Sequence, residues 1–191
     1  MYILSEKEIK NNLMVSIDDP CFNDWFLIVK DILVNEEFQK RRLFKHHEKS
    51  VWDHSIEVSF KAYKYSFHFN ADRRVCAIGG LLHDFYPYAW LYSEELNNYD
   101  SSYLKRLYKK EPFFHKHGFT HAKEAYENYL KYFKKYENKK ISDCIIKHMF
   151  PLNIKLPKYR ESWLVSLADK VSSLKDTGYI IRALLSDKKG L

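Results

Sequence analysis

Gly79-Gly80-Leu81-Leu82-His83-Asp84 decides how the chain reads. An apolar run softened by two glycines ends in two metal-type ligands side by side. Ala77, Gly79 and Gly80 have almost no side chain. They let another helix approach closely, at some cost in helix propensity. Val75, Ile78 and Leu82 recur at helical spacing just before the doublet. After it the chain turns aromatic and reaches Pro87, so the helix is expected to end there. Neighbours on a helix diverge by about 100°. His83 and Asp84 can therefore face one ion only near a helix end, or with Asp84 bridging two ions.

Helices are expected on both sides. A short amphipathic piece precedes the breaker Asp18-Asp19-Pro20. From Cys21 to about Arg42, Phe22, Trp25-Phe26, Val29 and Ile32-Leu33 keep helical period, with Lys40-Arg41-Arg42 closing the helix. Lys45-His46-His47-Glu48-Lys49 reads as a loop. Ser50 is an N-cap for a helix running to about Phe67, with Val51, His54, Val58, Ala62 and Tyr65 on one face. Asn70-Ala71-Asp72 turns the chain into the helix of the doublet.

Residues 85–112 read as an irregular aromatic connection, long enough for a lid or a substrate wall. Thr120 is read as the N-cap of a helix through Ala125, Tyr129 and Phe133. Ile141, Cys144, Ile145 and His148 mark another, stopped near Pro151. After Pro157, Leu164, Leu167, Ala168, Val171 and Leu174 form a core stripe beside Asp169. Thr177-Gly178 is expected to separate a last short helix. With only five glycines and five prolines, the fold class is all-α.

A chain of 191 residues, 46% hydrophobic, fits one ordinary domain and excludes a disordered or fibrous class. Cys21, Cys76 and Cys144 are scattered and offer neither a disulfide framework nor a thiolate zinc motif. Charge soon interrupts the N-terminus, and no apolar run approaches the roughly 18–20 residues of a membrane span. A cytoplasmic protein without membrane partners is expected. The net charge of +7 favours anionic partners. No helix-turn-helix, zinc-finger or RNP pattern supports nucleic acid.

Metals need ligands that shed protons cheaply, and a mixed His/Asp set suits Zn, Fe, Mn, Ni or Co better than Ca. A helical protein builds such a site by aiming ligands from several helices inward. His54, His83, Asp84 and Asp169 sit on or beside apolar stripes, where an unpartnered polar group is costly.

Val51-Trp52-Asp53-His54-Ser55, Gly80-Leu81-Leu82-His83-Asp84 and Ser166-Leu167-Ala168-Asp169-Lys170 together resemble the HD superfamily of metal-dependent phosphohydrolases. Its pattern is H…HD…D on an all-helical domain. The resemblance implies a single domain over 1–191, with an HD core at about 46–175 and N-terminal helices over 1–45. It implies one or two divalent ions (Fe, Mn, Zn, Ni, Co or Mg) held by His54, His83, Asp84 and Asp169. Two-metal members add two histidines, and His121 in Thr-His-Ala-Lys-Glu-Ala and His148 in Ile-Ile-Lys-His-Met resemble these. His117 is the alternative to His121. The sixfold set also resembles small bacterial diadenosine-tetraphosphate hydrolases, which hold two irons. The wording around His46-His47 and His121 looks closer still to uncharacterised HD proteins of Firmicutes.

The implied activity is hydrolysis of a phosphate ester or anhydride, on a small phosphorylated substrate such as a nucleotide. Asp84 is the implied catalytic residue, as bridging ligand and proton acceptor. Many members place a lysine after HD, where this chain has Phe85-Tyr86-Pro87-Tyr88. Positive charge must then come from elsewhere. Lys123, Arg160 and Lys170 are the substrate-binding candidates, with Lys147, Lys155 and Lys158 behind them. His46 and His47 are read as a basic loop or as contacts near the site. The rival reading is a non-catalytic HD-fold module that senses a nucleotide.

Overall fold

The computed structural model describes residues 6–13, 19–46, 49–89 and 117–187. Residues 90–112 of the expected aromatic connection, and His47 and His115, lie outside the described residues. The fold is all-α, with one small hairpin among the described residues. None of the described helices is long and apolar enough to cross a membrane.

After α1 (Glu6–Leu13), α2 (Pro20–Leu33) starts where the Asp19 carboxylate accepts from the Cys21 amide at 2.8 Å. It buries Phe22, Trp25, Val29, Ile32 and Leu33. The single helix expected to reach Arg42 ends at Leu33. Asn35 caps a new start, accepting from the amides of Glu37 and Phe38, and α3 (Glu36–Gln39) follows. A 3₁₀ turn (Lys40–Leu43) then buries Arg41 completely. Its guanidinium stacks on Phe44 and Phe85 and pairs with Glu37 at 3.3 Å. The basic run thus packs inward, not only onto a helix end.

The expected loop at 45–49 is partly a hairpin. β1 (Lys45–His46) pairs antiparallel with β2 (Lys49–Ser50), with Lys45 opposite Ser50. Ser50 caps α4 (Val51–His68), its hydroxyl accepting from the Asp53 amide at 3.0 Å. Asn70 takes a left-handed conformation in the turn, at φ 46°. Asp72 then caps α5 (Arg73–Leu82), accepting from the Val75 amide at 3.1 Å.

α5 is buried along Val75–Leu82 and packs against α2, α4, α7 (Lys139–Lys147) and α8 (Arg160–Asp187). A helix apolar on all sides belongs in the centre of a bundle. Gly80 permits a close approach to α4: a Cβ there would stand 2.8 Å from the Ser59 Cα. Ser59 fastens the contact, donating to the Ala77 carbonyl at 2.6 Å and accepting from the Trp25 indole at 2.8 Å. On the far side Glu161 accepts from the Asp72 amide at 3.0 Å and from Lys140 at 2.7 Å. That carboxylate ties the starts of α5, α7 and α8 together.

α6 (His117–Tyr132) packs on α7 and begins before Thr120, which lies inside its first turn instead of capping it. α8 continues through Thr177-Gly178, so the separate last helix expected there is absent.

Candidate metal centre

The ligand-type side chains converge where several helices end or begin. His83 is the C-cap of α5 and Asp84 follows it, so the doublet leaves the helix as required. His148 is the C-cap of α7. His54 lies one turn into α4, His121 one turn into α6, and Asp169 midway along the described side chains of α8.

His54, His83, Asp84, His121, His148 and Asp169 are all buried. On one side, His54 Nε2 meets Asp169 Oδ1 at 3.1 Å. His83 Nε2 stands 3.7 Å from that oxygen and 3.5 Å from Asp84 Oδ2. On the other side, Asp84 Oδ1 stands 3.3 Å from His121 Nε2 and 3.4 Å from His148 Nε2. Asp84 thus divides its two oxygens between two groups of ligands.

The tautomers follow from the backbone. Nδ1–H donates to Gly80 O from His83 at 2.7 Å, to His117 O from His121 at 2.8 Å, and to Ile145 O from His148 at 2.8 Å. In the neutral rings each Nε2 is then a lone-pair donor aimed into the cluster, the arrangement that second-sphere carbonyls impose on ligating histidines. His83 Nε2 and Asp84 Oδ1 are buried without a hydrogen-bond partner among the described residues. Lone pairs and carboxylates gathered in a buried space need a cation between them.

The two carboxylates and the histidines shift one another. Burial opposes ionisation of Asp84 and of Asp169, yet the surrounding histidines hold both carboxyls well below the usual range. Burial also opposes charge on His83, but Asp84 and Asp169 outweigh it and push this imidazole up to about 9. His121 goes the other way. Burial lowers it, Asp84 opposes that, and His148 adds to the lowering.

Among the described residues, ligand atoms come within 4.8 Å of one another in the sets His54, His83 and Asp169; His83, Asp84 and His148; and His46, His54 and Asp84. A divalent ion that accepts imidazole and carboxylate fits this donor set. His46 enters from β1, its ring stacked on His54 with centroids 4.2 Å apart and its Nε2 3.8 Å from Asp84 Oδ2. His117, one turn before His121 on α6, stacks on it at 4.6 Å. Its ring meets Tyr88, whose hydroxyl lies 3.2 Å from His117 Nδ1, while His121 is the residue facing Asp84.

The cluster opens into a cavity of about 1000 Å³. Asp84, His121, His148 and Asp169 line its inner end, with His46 and His117 beside them. Lys170 lines it too, its ammonium donating to Ser166 Oγ at 2.7 Å and to His148 O at 3.0 Å. Lys123 does not. It is exposed and faces Glu127 at 3.6 Å. Arg160 is exposed at the start of α8 and is likewise absent from the described lining. Only charge marks them in the sequence, and both side chains point outward. Met149, Leu152 and Leu174 line the cavity without having been expected there.

A model of the HD domain family matches residues 51–174. No curated protein and no solved structure matches the chain.

Proposed function

The chain belongs to the HD domain family, and from that membership and the cluster's geometry we propose a metal-dependent phosphohydrolase acting on a phosphate ester or anhydride. A nucleotide is the substrate class that the family resemblance favours. The observation that carries the reading is the division of Asp84's two oxygens between two ligand groups at the floor of a cavity.

In this proposal His54, His83, Asp84 and Asp169 hold one ion, and Asp84, His121 and His148 hold a second. When bound, the ions supply positive charge toward the phosphoryl oxygens and a water more easily deprotonated at neutral pH. The protein's own groups do the rest. The carbonyls of Gly80, His117 and Ile145 keep three imidazoles in the ligating tautomer. Asp84 stays anionic at neutral pH. A carboxyl held that low is a weak base, so its proposed part is to gather charge more than to take a proton. His46, on the cavity side, is placed to hydrogen-bond a water or a phosphoryl oxygen. Lys170 adds positive charge at the wall.

Phosphate release from a panel of nucleotides and simple esters, with protein loaded with Mn, Fe or Zn, tests the reading. Turnover that disappears with chelator and returns with metal supports it. Bound metal with no phosphate released from any ester or anhydride overturns it and favours the nucleotide-sensing module.

A further inference from the structure

The cavity changes character from floor to mouth. Its floor is ionic. The outer wall carries Met149 and Pro151 from the turn after α7, then Leu152, and Leu174 from α8. Leu152 is 48% exposed and Leu174 69% exposed. Scattered exposed leucines need no explanation. These two share the mouth of a cavity whose other end holds the metal-type ligands. Leu152 also reaches across to α6, where a Cβ on Gly118 would stand 3.6 Å from its Cδ2. The absence of a side chain at Gly118 keeps that edge of the mouth low.

Charge is sparse in comparison. Among the described lining residues Lys170 is the only Lys or Arg, and its ammonium is already engaged by Ser166 and by the His148 carbonyl. A polyphosphate chain that ran from the metal-type ligands out along the wall would need further cations there. One phosphate at the floor with an apolar group at the wall matches what these residues offer.

We propose that the site selects phosphomonoesters whose organic group is largely apolar, an alkyl, aryl or nucleobase-sized group seated against Met149, Leu152 and Leu174. This rests on the phosphohydrolase reading for the phosphate end. The wall itself is read from the cavity alone.

Binding separates the two. Methyl-, butyl- and octylphosphonate, which cannot be hydrolysed at an ester bond, are titrated calorimetrically into metal-loaded protein. The dissociation constant should tighten about threefold to fourfold per methylene over the first few carbons, the effect of burying each CH₂. The Leu152→Asn/Leu174→Asn variant should flatten that dependence while methylphosphonate binds as before. Both leucines are exposed, so the variant should keep its melting temperature. Comparison of octylphosphonate with the non-hydrolysable phosphonate analogue of adenosine monophosphate tells an alkyl group from a nucleobase, each within the proposed class. A flat series in the unsubstituted protein, an unchanged slope in the variant, or no binding of any member overturns the proposal. A length-dependent series with no turnover of the matching alkyl phosphates would sink the phosphohydrolase reading and leave the wall assignment standing.

Discussion

His121 and His148 bring their Nε2 atoms within 2.9 Å of each other, although 27 residues separate them in the chain. Each has its Nδ1 proton committed to a backbone carbonyl, so in the neutral rings both facing atoms are lone pairs. Two buried lone pairs at that distance repel unless a cation lies against them. Asp84 Oδ1 completes the same corner. The pair has no evident use in packing, and its geometry is the reason for proposing a second ion.

Replacing Asp84 by alanine should abolish hydrolysis. The carboxylate touches both ligand groups, and loss of one such charged partner at a reacting centre costs on the order of 10²–10³-fold in rate or more. The helical circular dichroism spectrum should stay close to that of the unsubstituted protein, because the apolar faces of α4, α5 and α7 do not include Asp84. Undiminished turnover in the variant would remove Asp84 from the mechanism.

Gly80→Ala should destabilise the protein by about 1–3 kcal/mol, the usual cost of forcing atoms into a packed contact. The added Cβ would meet backbone, 2.8 Å from Ser59 Cα and 3.1 Å from its nitrogen, so no side chain can rotate away. For a protein of this size each kcal/mol lowers the melting temperature by about 2–4 °C. An unchanged melting temperature would show that α4 and α5 leave room for a methyl group at Gly80.

The pH dependence of stability should carry a signature of Glu57. Burial opposes its charge, but Lys49 at 2.6 Å and Lys61 hold the carboxyl at about 2, against an ordinary 4.5. A depressed carboxyl stabilises the fold above its unfolded pKa, and that contribution fades as pH falls from about 4.5 toward about 2. Glu57→Gln should therefore cost about 1 kcal/mol at neutral pH, after allowance for solvent screening. The difference in melting temperature between the two proteins should shrink steadily below pH 4.5. A gap independent of pH would contradict the assignment.

Much of this was legible in the sequence. Helical period put His54, His83 and Asp169 on or beside apolar stripes, the resemblance to the H…HD…D pattern grouped them with Asp84, and Ser50 was readable as the cap of α4. Other features depend on competition that periodicity does not record. Asn35 breaks the apolar rhythm after Leu33 because its side chain satisfies two amides at once. Gly178 costs about 1 kcal/mol in helix propensity, yet a helix of 28 residues carries through it. α6 already includes His117, three residues before the cap expected at Thr120. The apolar wall was out of reach, because Met149, Leu152 and Leu174 come from two segments that only the tertiary fold brings to one cavity. The sign of charge on Lys123 and Arg160 was readable, but not the direction in which they point.

Metal content, measured on protein purified without chelator, tests the central claim most directly. The unsubstituted protein should hold two equivalents of a transition metal. The His121→Ala/His148→Ala variant should hold one, with activity lost, since His54, His83, Asp84 and Asp169 remain. One equivalent in both proteins, with unchanged activity, would contradict the two-ion account.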